Sequence, residues 1–256
     1  MKRVRILVLC FLGVLVLSLS ALNAQLSLQR LWAEADTVST AASVPGKSTG
    51  FLPQIILDLN NTGAKSQAEY AEKIAEWRVV NEDVVGYIDI PGFDISYPVL
   101  QGETNKTYLR TNIYKEKDNA GCIFLDSNYP DIYSPVKLIH GHHMSNGTMF
   151  GKLPDMLFYE TLDDAPTIYY TDDLGTKQFE IFSVFSVNSE EESVIVSQYS
   201  MIDDMERYKQ EYVERSWPAS PGVPEGTELL MLNTCWYGFS GKEHNLHCIV
   251  VAARVA

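Results

Sequence analysis

Beyond residue 80 the chain alternates short apolar runs with clusters of Pro, Gly, Asn and Asp. Eight runs read as strands: GYIDI (86–90), ISYPVL (95–100), GCIFLD (121–126), VKLIH (136–140), TIYYT (167–171), FEIFSVFSV (179–187), ELLMLNT (228–234) and CIVVAAR (248–254). β-Branched and aromatic residues fill them and turn residues bound them, as pleated segments require. Such a succession predicts a mainly β fold, a closed barrel or a sandwich.

Two segments carry helical spacing. Ser66 and Glu69 form a capping-box pattern, and Tyr70, Ile74 and Trp77 then recur on one face, predicting a helix over 66–80. Met205, Tyr208 and Tyr212 share a face in a second helix, expected from Ile202 to Trp217, between strands six and seven.

The N-terminus follows another pattern. Lys2, Arg3 and Arg5 precede an uncharged apolar run from Ile6 to about Ala24. At about 1.5 Å per residue, a helix there spans roughly 28 Å, near the thickness of a hydrocarbon core. The flanking cations predict a cytoplasmic N-terminus and a single-pass anchor over 1–25. A cleaved signal peptide competes, but cleavage after Ala24 would place Leu22 where a small residue is preferred. Residues 26–65 then read as an extracellular stalk and 66–256 as the folded domain outside a cell membrane.

Charge narrows the partners. Without Lys2, Arg3 and Arg5, 17 basic residues face 33 acidic ones. So acidic a domain lacks the basic surface that nucleic acid demands. Outside the N-terminal run lie Cys122, Cys235 and Cys248, an odd number that leaves at least one thiol free of intrachain pairing. Cys122 and Cys248 sit in apolar strand runs and read as small buried hydrophobes. No spacing matches a zinc site, and no cofactor is expected.

Two features carry candidate chemistry. KLIHGHHMSNGTMFGKL (137–153) ends a strand on His140, followed by Gly141, His142 and His143. LLMLNTCWYGF (229–239) places Cys235 where a strand gives way to a turn. A Cys and a His brought together in space are the minimum set for thiol acyl transfer: the thiolate attacks a carbonyl, and the imidazolium protonates the leaving amine. From the residues alone, Cys235 as a packing residue and the His cluster as a metal site both stay open.

Together the segments resemble the sortases, membrane-anchored cysteine transpeptidases of mainly Gram-positive bacteria. MLNTC is similar to that family's T-L-x-T-C strand end, and HGHHMSNGTMFGKL to its Y-G-H-x-M…MF stretch. Residues 81–126 resemble the first barrel half of class B members, and a helix between strands six and seven is also a class B feature. The resemblance implies an eight-stranded β-barrel with an N-terminal helix, Cys235 as nucleophile and His142 as the catalytic histidine. Thr234 matches the threonine before the nucleophile. His140 stands where the family has Tyr, His143 where class B often has Asn, and Met231 replaces a Thr. Implied partners are secreted proteins bearing a C-terminal sorting signal similar to N-P-x-T-x, cut after Thr. An amine acceptor follows, either a lipid-linked cell-wall precursor or a pilin lysine.

The family's Arg, eight to ten residues past the Cys, is missing. Arg254 lies too far along the last strand. Lys242, His244, Asn245 and His247 are the available donors, with Asn245 and His247 the leading candidates for oxyanion or substrate binding. Three outcomes stay open: a substitute from this loop, an Arg recruited from elsewhere, or a barrel that binds without turnover as an accessory protein in surface-protein or pilus assembly.

Overall fold

The computed structural model describes residues 65–190, 197–241, 243 and 245–255. Its eight strands are β1 (Val84–Ile90), β2 (Ile95–Leu100), β3 (Ile123–Leu125), β4 (Val136–His140), β5 (Ile168–Asp172), β6 (Gly175–Asn188), β7 (Leu229–Trp236) and β8 (Leu246–Arg254). They close into a barrel in the order β1-β2-β3-β4-β7-β8-β6-β5. The β2–β3 and β4–β7 pairs are parallel and the others antiparallel. The mainly β reading and the barrel closure both hold.

Alternation along the strands builds two apolar layers. On β7 and β8, Leu230, Leu232, Trp236, Cys248, Val250 and Ala252 pack in the interior cluster. Their neighbours Leu229, Met231, Ile249, Val251 and Ala253 belong to a second cluster, with Tyr208 and Tyr212. The period-2 pattern is therefore apolar on both faces here, because helices cover the outer one.

The first helix, α1 (Gln67–Val80), starts at the expected capping box: Ser66 Oγ accepts from the Glu69 amide, and the Glu69 carboxylate accepts from the Ser66 amide. Tyr70 and Ile74 are its buried residues. The second expected helix, over 202–217, is observed as α3 (Met205–Arg215), and a short helix α2 (Gln198–Asp203) precedes it. Asp204 leaves helical geometry at φ −140° and ψ 46° and serves as the N-cap of α3. Its side chain makes no capping bond to the backbone and instead accepts from Arg207 Nε at 2.7 Å.

Two strand boundaries matter for chemistry. β7 runs two residues past the expected Thr234, so Cys235 lies within it. β8 begins at Leu246 rather than Cys248, so His247 also lies in a strand.

The anchor reading is corrected. Among the described residues no helix is long and apolar enough to cross a membrane. A crossing takes about 20 apolar residues, whereas α1, the longest described helix, has 14 residues and several charges. Residues 1–25 and the stalk up to residue 64 lie outside the described residues. No membrane crossing, and no placement of the domain relative to one, is assigned.

Helix α1 is tied to the barrel by a polar contact in an apolar seam. Tyr70 Oη donates to Asp89 Oδ2 at 2.8 Å, and Lys65 Nζ pairs with Asp89 Oδ1 at 2.8 Å. Asp89 is buried on β1. Tyr70→Phe removes one donor from this carboxylate and is expected to cost about 1–3 kcal/mol. Urea unfolding followed by circular dichroism checks it; an unchanged midpoint contradicts it.

Candidate functional site

The parallel β4–β7 ladder pairs His140 with Asn233, and the antiparallel β7–β8 ladder pairs Cys235 with His247. Residues i and i+2 of a strand share a face, as do directly opposed residues of neighbouring strands. His140, Asn233, Cys235 and His247 therefore form one polar patch, on the face that Met231 and Leu229 occupy farther along β7. Cβ atoms of such opposed pairs lie roughly 4.5–5.5 Å apart.

Behind His140 the chain turns sharply. The Gly141 amide donates to the Asn233 carbonyl at 3.1 Å, extending the β4–β7 ladder. A Cβ at Gly141 would stand 2.5 Å from Ile123 Cδ1 and 2.7 Å from the Phe150 ring. The loop then folds back: the Phe150 amide donates to the His142 carbonyl at 3.0 Å, and His143 bridges Met149. Phe150 is fully buried and pins the loop to the core.

This loop sends its two histidines in different directions. His142 Nε2–H donates to the Leu109 carbonyl at 2.7 Å, leaving Nδ1 to take up or release a proton. His143 Nδ1–H donates to the Cys235 carbonyl at 2.9 Å, and its ring lies 5.2 Å from that of Tyr237. His143 is thus the loop residue that grips the Cys235 main chain. The three rings of HGHH have three separate partners, and among the described residues no group of His, Cys, Asp and Glu is arranged to hold a metal ion.

Cys235 is half-buried and unpaired, whereas Cys122 and Cys248 are buried. Burial pushes the Cys235 thiol above its ordinary range. Thr234 points the other way: it is buried opposite Cys248, and its hydroxyl has no hydrogen-bond partner among the described residues. Asn245 is exposed, and its carbonyl accepts from the Ser189 amide at 2.7 Å, continuing the β6–β8 ladder. Lys242 and His244 lie outside the described residues. Arg254 binds Glu228 at the far end of β8, seven residues from His247 and so roughly 23 Å along the strand. Arg110, next in sequence to the carbonyl that His142 binds, turns to Asn119 at 3.3 Å.

Sequence reasoning missed a hydrogen-bonded chain behind His247. Its Nδ1 lies 2.7 Å from Asn233 Oδ1, Asn233 Nδ2 lies 3.1 Å from His140 Nδ1, and His140 Nε2 lies 2.7 Å from Asp126 Oδ2. Asp126 follows β3 and is buried. No motif signals this chain, because its four members come from four separate segments. Burial alone would raise the Asp126 carboxyl, but the His140 hydrogen bond and charge, with the Asn128 amide, hold it below the ordinary range. His247 is lowered by burial and by the nearness of His140, so its neutral form is favoured.

A half-buried thiol on β7 with imidazoles on neighbouring segments supplies the groups that cysteine-dependent acyl transfer needs. The family model for the sortase domain matches residues 88–255. Sortase B of Listeria monocytogenes is 30% identical over 169 residues, covering 65% of this chain and 68% of that one. The X-ray structure of Clostridium perfringens sortase B superposes with a TM-score of 0.63 at 31% identity, covering 71% of this chain and 99% of that one. A Staphylococcus aureus sortase B–substrate complex shares the fold, with a TM-score of 0.62 at 24% identity over 78% of this chain and 90% of that one. The chain belongs to the sortase family of cysteine transpeptidases and is class B-like.

Two outcomes follow from the geometry. Gly141→Ala forces a Cβ into Ile123 and Phe150 and is expected to cost about 1–3 kcal/mol, read as a lower urea midpoint. For Asp126, a depressed folded pKa means its stabilisation is present above the unfolded value of about 3.9 and is lost as pH falls through the folded value. Asp126→Asn should therefore be less stable than the native chain near pH 6, with the gap closing at low pH. A gap that stays constant over that range contradicts the assignment.

Proposed function

We propose that this sortase cleaves a C-terminal sorting signal on its protein substrates after a Thr, through a thioester on Cys235. The Cys235 thiolate attacks the Thr carbonyl, and His142, from Nδ1, protonates the departing amine. An incoming amine then attacks the thioester and leaves the protein joined to a new partner. Acceptors fitting this chemistry are the crossbridge amine of a cell-wall precursor or a pilin lysine. A Staphylococcus aureus sortase B of the same fold is solved as a substrate complex.

The observation that carries the reading is the seating of the thiol. Among the described residues Cys235 is the half-buried member of three free cysteines, on a strand whose carbonyl is held by His143 in the same loop as His142. The two other thiols are buried by the core, and burial raises Cys122 to about 12.

One observation favours a second reading. The residue opposed to Cys235 is His247 rather than a fixed cation. A barrel retaining the fold and binding sorting signals without turnover, as an accessory protein in surface-protein or pilus assembly, fits that substitution.

The test is incubation of the purified chain with fluorogenic peptides spanning N-P-x-T-x variants, with and without an added amine. Cleavage is expected, with amine-dependent appearance of the ligated product and loss of both in Cys235→Ala. His142→Ala should lower the rate on the order of 10²–10⁴-fold, the usual contribution of general acid–base catalysis. Undiminished cleavage in Cys235→Ala rejects the mechanism, and no cleavage with any variant supports the accessory reading.

A further inference from the structure

The main-chain ladder between β4 and β7 stops one rung short of the nucleophile. Carbonyls two residues apart on a strand face the same edge, so those of Asn233 and Cys235 both point toward β4. The Asn233 carbonyl accepts from the Gly141 amide at 3.1 Å. In a continued parallel ladder the next rung would join the amide of residue 143 to the Cys235 carbonyl. By then the chain has turned: His143 bridges Met149 in a separate antiparallel contact, and the Phe150 amide binds the His142 carbonyl at 3.0 Å. The His143 side chain supplies that rung instead, from Nδ1 to the Cys235 carbonyl at 2.9 Å. A carbonyl oxygen only accepts, so Nδ1 carries the proton whether or not Nε2 does.

We infer that His143 is a positioning residue for the acyl transfer, fixing the Cys235 main chain against the loop that carries His142. The inference rests on Cys235 being the nucleophile and His142 the acid. His142 has its own anchor, since its Nε2–H donates to the Leu109 carbonyl at 2.7 Å. Hydrogen bonds from two adjacent residues therefore tie the thiol's strand and the β2–β3 connection to one short loop. Fully buried Phe150 holds that loop to the core, and Gly141 passes where a Cβ would strike Ile123 and Phe150.

The His143 ring is backed by Tyr237, 5.2 Å away, on the chain just after β7. Both contacts of the ring thus fall on the segment that bears the thiol. A misplacement of about 1 Å between reacting groups costs on the order of 10²-fold in rate, so a single hydrogen bond at this point carries a kinetic consequence. No proton passes through His143 in this role; it acts through the separation of Cys235 and His142.

Steady-state kinetics on the fluorogenic sorting peptides separates this role from a merely structural one. His143→Phe keeps a ring against Tyr237 but loses the donor. Its kcat is expected to fall on the order of 10–100-fold with KM nearly unchanged. His143→Asn, whose Nδ2–H stands at the same remove from Cα as the imidazole Nδ1–H, should restore most of the rate. Iodoacetamide labelling of Cys235, which needs only an accessible and ionisable thiol, should stay near native in both variants. Full activity in His143→Phe overturns the inference, as does a His143→Asn variant no better than His143→Phe. Labelling that falls in step with kcat also overturns it, because the effect then lies on the thiol itself. Nitrogen-15 NMR of the native chain gives a reading independent of any variant's folding: His143 Nδ1 should be protonated, and a bare Nδ1 overturns the assignment. Failure of the underlying reaction is distinguishable, since it appears as cleavage persisting in Cys235→Ala or as a native chain that cleaves nothing.

Discussion

The site depends on the register between β7 and β8. Eight consecutive pairs, from Leu229 with Ala253 to Trp236 with Leu246, place Cys235 opposite His247. A slip of one residue would exchange the interior row of Leu230 and Leu232 with the outer row of Leu229 and Met231. Both rows are buried, one inside the barrel and one beneath Tyr208 and Tyr212 of α3. The two-sided burial that makes these strands continuously apolar therefore also fixes which residue stands opposite Cys235 on β8. Packing at one end of β7 sets chemistry at the other.

The β4–β7 ladder adds a second registration. It brings His140 beside Asn233, and the Gly141 amide continues the pairing, so the loop holding His142 and His143 leaves the barrel next to Cys235. Only a residue without a Cβ can pass between Ile123 and Phe150 at that point. The parallel β4–β7 contact, of high sequence separation, thus assembles a site from segments nearly a hundred residues apart. Such contacts form at a loop-closure cost that helical neighbours do not face.

Much of this was legible in the chain. Turn residues between β-branched runs located all eight strands, and Ser66 with Glu69 marked the start of α1. The Cys and His segments were found because sequence motifs concentrate them within a few residues. Boundaries were less legible: Trp236 and His247 extend strands that composition alone ended earlier, since polar residues inside a ladder resemble a turn. Helix α2 escaped because the apolar spacing that marked a helix, Met205, Tyr208 and Tyr212, lies wholly within α3. The chain Asp126–His140–Asn233–His247 was beyond reach, as nothing in one segment predicts the side-chain partners supplied by three others. Its importance is that two positions departing from the family pattern, His140 for Tyr and His247 near the expected Arg, belong to one hydrogen-bonded unit.

Those departures shift where charge is stored. A fixed guanidinium is cationic at every working pH, whereas an imidazole becomes cationic only by taking a proton. Burial raises the Cys235 thiol and lowers the His247 imidazole. The account stands on Cys235 forming the covalent intermediate. Acid-quenching the chain within its first turnovers on a sorting peptide, followed by peptide mapping, measures this directly. The account predicts an acyl adduct, of the mass of the peptide's N-terminal fragment through Thr, on Cys235 alone. Cleavage that proceeds with no adduct, or with the adduct on another residue, contradicts it.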